Sequence, residues 1–408
     1  MAETVTIDAL GHAGDGIVSA GGGRLLVPFT LPGETVEIER QGERGRLLRI
    51  LAPSPSRIDP LCRHFGACGG CALQHMEVEA YLGWKRDNVV RAFAQQGIEA
   101  PIEPMVPIVP ASRRRAVFSA IRTAQGIVLG FHRKSAKEIV ALAECPVLVP
   151  AITRRLDLIR DIAALFIRPG KPARIVVVAA DNGLDIAFEA AGRLDPRALG
   201  KLAQLAEAGD IARISAGGQE IILNRRPEIR SGDVLLAPVP GGFLQAAAPA
   251  ETVMAEAVLA HVGTATPVLD LFAGIGTFSL RLARKAPVTA VEGDAAPLAA
   301  VEEARRHMTG LKPVTVRKRD LFHNPMAAVE LNAFGAVVFD PPAAGAKSQA
   351  ETIARSTVRK VVAVSCNPAT LARDARILID GGYRLERVLP VDQFLFSAEI
   401  EAVATFVR

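Results

Sequence analysis

The residues best suited to chemistry lie in the stretch VVAVSCNPATLARD, from Val361 to Asp374. Its apolar beginning, Val361 to Val364, predicts a buried parallel strand, and Asn367-Pro368 then turns the chain into a helical pattern. Cys366 is therefore predicted at the carboxyl end of a strand and beside a helix N-terminus, where the pKa of a thiol is lowered and the thiolate is exposed. Two interpretations remain open here: Cys366 is a nucleophile, or it is a small buried hydrophobic residue, as most lone cysteines are.

The other four cysteines form a separate group. Cys62, Cys68 and Cys71 make a C-x5-C-x2-C array in a glycine-rich loop, and Cys145 follows in the sequence Glu144-Cys145-Pro146. Glycines let a backbone fold tightly around a metal centre, and four thiolates suit a [4Fe–4S] cluster or zinc. The spacing does not choose between the two metals, and free reduced cysteines are the structural alternative.

The C-terminal third alternates strands and helices in the manner of a doubly wound parallel sheet. The strand Val268 to Phe272 leads into the glycine turn Ala273 to Thr277, and the next strand ends in Glu292. A glycine turn lets a ligand approach the backbone, and a carboxylate about 20 residues later can bind ribose hydroxyls. Dinucleotide enzymes and adenosyl-methionine methyltransferases share this geometry. The pattern D-x-F-x-G-x-G-x-F-S fits a methyltransferase better, because the third glycine of the dinucleotide motif is absent.

A third strand, Ala336 to Phe339, ends in Asp340-Pro341-Pro342, which is predicted to hold Asp340 at the mouth of the same cleft. A cysteine nucleophile beside a methyl donor would solve a specific problem. Carbon 5 of a pyrimidine attacks a methyl group only after a thiolate has added to carbon 6. A base must then remove the carbon-5 proton so that the thiolate can leave.

The 408 residues are too many for one ordinary core, so we divide the chain into three domains. Residues 1–57 alternate apolar and polar positions between glycines and predict a small β-barrel. Residues 58–240 predict a mixed α+β middle domain, and residues 241–408 predict the doubly wound sheet.

The net charge of +5 mildly favours a polyanionic partner. Arg40, Arg44, Arg46 and Arg49 form a basic stripe in the predicted barrel. Arg113-Arg114-Arg115 and Arg133-Lys134 form the most basic region, which we expect to lie along an RNA backbone. No signal peptide is recognisable, and no apolar run reaches the roughly 18 residues of a membrane span, so we expect a cytoplasmic protein without membrane contact.

The ordered set of motifs resembles the bacterial RNA 5-methyluridine methyltransferase family, and within it the iron–sulfur 23S rRNA uracil-C5 enzymes. The resemblance covers the whole chain: a G-D-G-I-V barrel similar to a TRAM domain, C-x5-C-x2-C with a distant E-C-P, F-L-Q, D-L-F-A-G-I-G-T-F-S-L, V-E-G, D-P-P and S-C-N-P-A-T-L-A-R-D. It implies a multidomain α/β protein with a Rossmann-like class I methyltransferase domain, an N-terminal OB-like β-barrel that binds RNA, and an α+β middle domain with an iron–sulfur loop.

The resemblance also implies roles for individual residues. Cys366 would be the nucleophile, and the four other cysteines would hold a [4Fe–4S] cluster. S-adenosyl-methionine or the substrate would contact Gln245, Phe272, Thr277, Glu292, Asp320 and Asp340, with Glu292 on the ribose and Asp320 near the adenine. The family ends in an H-x-E motif whose glutamate is the base. The register with the following A-V-A makes that residue Glu401 and places Glu399 at the histidine position.

The expected activity is therefore methyl transfer from S-adenosyl-methionine to carbon 5 of a uridine in 23S rRNA, by a monomer. Two alternatives remain. One keeps the chemistry and changes the substrate to tRNA, and the other is a non-catalytic metal-cluster protein that binds RNA.

Overall fold

The computed structural model describes residues 2–20, 23–134, 136–189 and 194–408. These residues form one sheet for each of the three parts of the chain and one additional strand pair. Among them, no helix has both the length and the apolar character that crossing a bilayer requires.

The N-terminal sheet has six strands in the order β1-β5-β6-β4-β3-β2 and encloses a small core that includes Ile7, Val27 and Ile38. The strands are β1 Ala2–Thr6, β2 Ala9–Leu10, β3 Gly16–Ala20, β4 Gly23–Val27, β5 Thr35–Gln41 and β6 Arg44–Ala52. Three arginines of the predicted basic stripe are paired within this sheet: Arg40 with Glu3, Arg46 with Glu39 and Arg49 with Glu37. Much of the charge of the stripe is therefore neutralised locally.

The middle sheet has seven strands in the order β13-β12-β11-β10-β7-β8-β9, with helices packed on one face. The elements from residue 78 to residue 223 are α1 Val78–Gln95, β7 Arg115–Thr123, β8 Gly126–His132, β9 Ile139–Ala141, α2 Pro150–Thr153, α3 Leu156–Phe166, β10 Ala173–Ala180, β11 Gly183–Phe188, α4 Ala198–Ala208, β12 Ile211–Ala216 and β13 Gln219–Leu223. The basic region before β7 differs from the prediction, because Arg114 is buried and paired with Glu251 at 2.6 Å. Arg114 therefore lies in an interface between domains and does not line an RNA surface.

The C-terminal sheet has seven strands in the order β18-β17-β16-β19-β20-β22-β21, and its first five strands are parallel. The elements from residue 229 onward are β14 Ile229–Ser231, β15 Val234–Leu236, α5 Ala248–Val262, β16 Val268–Leu271, α6 Ser279–Leu282, β17 Val288–Glu292, α7 Ala295–His307, β18 Val314–Lys318, α8 Ala328–Leu331, β19 Ala336–Phe339, α9 Lys347–Ala354, β20 Lys360–Ser365, α10 Pro368–Asp380, β21 Arg384–Val391 and β22 Glu401–Val407. The central strands read as continuous apolar runs because helices cover both faces of the sheet. The predicted doubly wound domain is confirmed.

Helix α1 and the chain after it pack on this C-terminal sheet. Val89 and Phe93 of α1 share a core with Leu371 and Leu378 of α10. Residues Ile102 and Val106 then form bridges with Val388 and Val391 of β21. The first part of the segment predicted as the middle domain, residues 58–240, therefore supports the strand that leads toward the candidate active site.

Candidate active site

Cys366 lies directly after β20, half-buried at the carboxyl edge of the C-terminal sheet. Asn367 caps helix α10, because its side-chain oxygen accepts a hydrogen bond from the Ala369 backbone N–H at 3.0 Å. Strand β22 runs antiparallel to β20 with Ser365 paired to Ala402. Extending that register by one residue places Cys366 opposite Glu401.

The expected lowered pKa of Cys366 is wrong. Burial raises the pKa of the thiol to about 12, and the nearby carboxylates of Glu401, Asp340 and Glu399 add to the increase. The N-terminus of a helix favours a thiolate, but three negative charges and partial desolvation outweigh it. In the free protein Cys366 is consequently a neutral thiol, so forming the nucleophile requires that its proton leave.

Two recessed carboxyl groups lie at this edge of the sheet and interact electrostatically. Glu401 begins β22 and is only 3% exposed, and Asp340 follows β19. Burial raises the pKa of both groups, and the charge of Asp340 further raises the pKa of Glu401. A carboxyl group with a raised pKa is a stronger base when it is ionised, which suits the removal of a proton from carbon.

Two glutamine side chains join these carboxyl groups. Gln245 donates from Nε2 to Asp340 Oδ2 at 3.1 Å. Gln393 donates from Nε2 to Gln245 Oε1 and to Glu401 Oε2, both at 2.8 Å. Both glutamines are almost fully buried, at 2% and 3% exposure. Cys366, Glu401, Asp340 and Gln245 were predicted from distant parts of the chain, and the fold brings them together.

Side chains of helix α1 bind the loop that carries Gln393. Tyr81 donates its hydroxyl to Asp392 Oδ1 at 2.8 Å, and the buried Lys85 ammonium donates to the same oxygen. The Tyr81 hydroxyl also accepts from the Phe396 backbone N–H at 2.8 Å. This buried network fixes the chain on both sides of Gln393.

The other predicted contacts lie farther along the same sheet edge. Glu292 ends β17 and accepts from the Gly274 backbone N–H at 3.0 Å, so the carboxylate is fixed against the glycine turn. Gly274 has φ +53, and a Cβ there would meet nothing within 4 Å, which leaves open space above the turn. Phe272 (φ +60) and the half-buried Thr277 flank this turn. The turn and the carboxylate form a cradle of the kind that suits a nucleoside ligand.

Asp320 lies beyond β18, the outermost strand of this edge. It accepts hydrogen bonds from the backbone N–H groups of Phe322 and His323 at 3.0 and 3.2 Å. A hydrogen bond to the His323 side chain, together with these backbone bonds, lowers the pKa of Asp320. The Phe322 ring contacts that of Phe272, with 5.4 Å between ring centroids. Asp320 is thus placed at the distal end of the cradle, and an aromatic pair connects it to the glycine turn.

The four remaining cysteines approach one another in space. Cys62, Cys68, Cys71 and Cys145 are all partly buried, and burial raises the pKa of each thiol. In every pair of the four, the charge of one cysteine also raises the pKa of the other. Backbone N–H groups of His64 and Gly70 donate to the sulfurs of Cys62 and Cys68, each at 3.4 Å. Such bonds favour thiolate ligands. In the described parts of the chain, no three His, Cys, Asp or Glu side chains stand closely enough to form a metal site as they are.

Backbone hydrogen bonds connect the cysteine group to the active site in two places. Ala72, next to Cys71, donates its N–H to the Phe396 carbonyl at 2.8 Å, in the loop before Glu401. Arg113 donates to the Val147 carbonyl at 3.1 Å, and its neighbour Arg114 donates to the Ala246 carbonyl at 2.8 Å. The loops that carry Glu401 and Gln245 therefore rest on the segments that carry the cysteines.

Gln393 is the site residue that the sequence reasoning missed, although a signal was present. Asp392-Gln393 follows the apolar end of β21, and β21 runs parallel to β20 because both are antiparallel to β22. Polar residues after such a strand belong to the same sheet edge as Cys366.

Comparisons with known proteins agree with this geometry. Residues 223–407 match the model of the tRNA (uracil-5-)-methyltransferase family, and residues 4–55 match the TRAM domain model of tRNA (uracil(54)-C(5))-methyltransferase. The chain is 49% identical to an RNA methyltransferase of Brucella suis, across 99% of this chain and 97% of that protein. It is 32% identical to the 23S rRNA (uracil(1939)-C(5))-methyltransferase of Vibrio vulnificus, across 99% and 96%.

Among solved structures, the chain resembles the tRNA (uracil-54, C5)-methyltransferase of Pyrococcus abyssi, determined in complex with S-adenosyl-L-homocysteine. The TM-score is 0.79 at 22% identity, and the match covers 99% of both chains. At that identity the likeness establishes the fold.

Proposed function

Because the chain belongs to the tRNA and rRNA (uracil-5-)methyltransferase family, we propose that it methylates carbon 5 of a uridine in 23S rRNA, with Cys366 as the nucleophile and Glu401 as the base. The observation that carries the proposal is the strand register, which places Cys366 opposite Glu401 at the sheet edge that also carries Asp340. A thiol and a recessed carboxyl group on neighbouring strands at one sheet edge are what addition to carbon 6 and proton removal from carbon 5 require.

The glycine turn and its neighbours fit S-adenosyl-methionine, which supplies an electrophilic methyl group when it is bound. Glu292 would accept the ribose hydroxyls, and Phe272, Thr277 and Asp320 would line the rest of the nucleoside site. Gly274 leaves room for the ligand close to the backbone. The carboxylates around Cys366 would also be balanced by the positive sulfonium charge.

The steps then follow from the chain's own residues. Cys366 gives its proton to a nearby carboxylate such as Asp340, and its sulfur bonds to carbon 6 of the uracil. Carbon 5 acquires the methyl group. Glu401 takes the carbon-5 proton, the electron pair restores the C5–C6 double bond, and the C6–S bond breaks to release the thiolate. The uridine must be extruded from its stack to reach both groups.

The choice of 23S rRNA is supported by the relative of Vibrio vulnificus, which is 32% identical over nearly the full length of both chains. The TRAM-like domain and the basic charge of the chain would help to bind the RNA. The second candidate substrate is tRNA, which the name of the structural neighbour favours. Transfer of labelled methyl groups to 23S rRNA fragments and to tRNA, both lacking the modification, separates the two.

Cys366→Ala tests the nucleophile in the same assay. We expect S-adenosyl-methionine to bind the variant as it binds the wild type, while methyl transfer falls to background. Retained turnover would contradict the mechanism. Binding without turnover in the wild-type protein, on every RNA tried, would favour the non-catalytic alternative.

We also propose that Cys62, Cys68, Cys71 and Cys145 hold a [4Fe–4S] cluster. Four partly buried thiols whose charges interact, together with backbone donors to two of the sulfurs, suit such a cluster, although the thiols would have to move closer together to bind it. Methyl transfer is redox-neutral, so the cluster would act as a structural link between the loops that carry Glu401 and Gln245. A brown anaerobic preparation with visible absorbance supports iron, whereas a colourless protein loaded with zinc contradicts it.

A further inference from the structure

The side chain of Gln393 contacts Glu401 directly and reaches Asp340 only through Gln245, and it has no place in the steps above. Its single amide nitrogen donates to Gln245 Oε1 and Glu401 Oε2, each at 2.8 Å. Its own oxygen, Oε1, is buried and has no hydrogen-bond partner among the described residues. A flipped amide would turn that oxygen toward two acceptors, so the observed orientation is strongly preferred.

The hydrogen bonds have a defined direction that selects one oxygen of each carboxyl group. Gln245 Nε2 donates to Asp340 Oδ2 at 3.1 Å, and Gln393 Nε2 donates to Glu401 Oε2. Each carboxyl group is therefore held through one oxygen, and the other oxygen of Glu401 is left to accept a proton. The donated hydrogen bond also stabilises the ionised form, so it lowers the pKa of Glu401 against the effect of burial.

The position of Gln393 is itself fixed. The preceding residue, Asp392, is bound by Tyr81 and Lys85 from helix α1. Its backbone N–H donates to the Val106 carbonyl at 3.0 Å. An amide that is held in this way can hold a carboxylate in turn, which is the arrangement that a pre-organised catalytic base needs.

We propose that Gln393 is the positioning residue for proton removal from carbon 5: it orients Glu401 but takes no part in the attack by Cys366. The proposal rests on the proposed function. In chemical terms, the methylated adduct carries a C6–S bond to Cys366 and a proton on carbon 5. Glu401 takes that proton, and the electrons of the C5–H bond form the C5–C6 double bond as sulfur departs. A mispositioned Glu401 slows this step alone.

The test is a Gln393→Met variant, which keeps the side-chain volume and removes the donor. We expect one methyl group to be transferred per enzyme in a single turnover, followed by accumulation of a protein–RNA adduct that survives denaturing electrophoresis. Steady-state turnover should fall by about 100-fold, as for a misplacement of about 1 Å, while kcat/KM for RNA is unchanged because the steps up to the adduct are unaffected. A Glu401→Gln variant serves as the reference for adduct accumulation.

Gln349→Met is the matched control. Gln349 is equally buried and makes hydrogen bonds to Met326 and Thr352 in the same domain. A general loss of packing would affect both variants alike, but only Gln393→Met should accumulate adduct. If the Met variant does not fold, Gln393→Asn, which keeps a shorter amide, should give a smaller amount of the same adduct.

Two results would overturn the proposal. If Gln393→Met turns over at the wild-type rate and accumulates no adduct, the hydrogen-bond donor is not needed. A folded variant that binds S-adenosyl-methionine but forms no adduct would place Gln393 before methyl transfer. A separate experiment tests the proposed function itself, with the wild-type protein and RNA that contains 5-fluorouridine. Because carbon 5 then carries fluorine and has no proton to remove, the adduct on Cys366 should be trapped whether or not Gln393 acts as proposed.

Discussion

The ionisation of Cys366 can be tested without RNA. Burial and three carboxylates raise the pKa of this thiol from the ordinary value of 9.0 to about 12. Below pH 9 the thiolate fraction is then about a thousand-fold lower than that of an ordinary cysteine, since each pH unit is a factor of ten. Because only the thiolate reacts with an alkylating reagent, we expect alkylation of Cys366 to be slower by about the same factor.

The charge of Glu401 is the second cause of the raised pKa after burial. At pH 9, where Glu401 is more fully ionised, a Glu401→Gln substitution should lower the pKa of Cys366. A neighbouring like charge typically shifts a pKa by one unit or more, so alkylation should accelerate by about tenfold. Glu351→Gln on helix α9 removes an exposed carboxylate that does not affect Cys366, and it should leave the rate unchanged.

The assay is alkylation with iodoacetamide at several pH values, with the modified Cys366 peptide quantified by mass spectrometry so that the other four cysteines do not interfere. The rate should still be rising at pH 10 in the wild-type protein. A plateau below pH 8 would mean that the thiol is activated in the free protein. That result would refute the conclusion that Cys366 is a neutral thiol in the free protein.

Three other outcomes follow from the buried groups. Glu401→Gln should stabilise the free protein at pH 8. The pKa of Glu401 is higher in the folded protein than in the unfolded chain, where it is near 4.5, so the wild type loses folding stability as the pH rises above that value and the neutral glutamine does not. Thermal melts should show that the gain shrinks toward pH 5, and an equal gain at both pH values would contradict the prediction. Lys85→Met should cost about 3–5 kcal/mol in chemical denaturation by leaving the Asp392 charge buried and unpaired, and a cost below about 1 kcal/mol would show that the pair is solvated. Cys145→Ser should remove iron and visible absorbance. It should lower turnover by up to about 100-fold while S-adenosyl-methionine still binds, because the backbone hydrogen bonds between the cysteine segment and the loop of Gln245 would loosen. Full turnover without iron would exclude that linkage.

Patterns confined to one segment were the most predictable from the sequence. The strand Ala336–Phe339 has the predicted bounds, and the strand before Cys366 extends the predicted run by one residue at each end. Both are short apolar runs that end in polar or turn residues, so the signal lies within the strand itself.

Properties that depend on tertiary neighbours were not predictable. The pKa of Cys366 was predicted in the wrong direction because Glu401 and Asp340 come from other strands. Arg114 appeared to be a surface residue because its partner, Glu251, lies 137 positions away. The place of Gln393 at the sheet edge could have been read from the end of β21, but its hydrogen bond to Gln245 arises only when the loops meet. Charge and amide chemistry depend on spatial neighbours that periodicity does not reveal.

The proposal to test most directly is that this chain makes 5-methyluridine in 23S rRNA through Cys366. The most direct measurement maps 5-methyluridine by mass spectrometry across rRNA and tRNA from a strain without the gene, complemented with the wild type or with Cys366→Ala. We predict that one or more 23S rRNA positions lose the modification and that only the wild type restores it. Loss confined to tRNA would contradict the assigned substrate, and restoration by Cys366→Ala would contradict the mechanism.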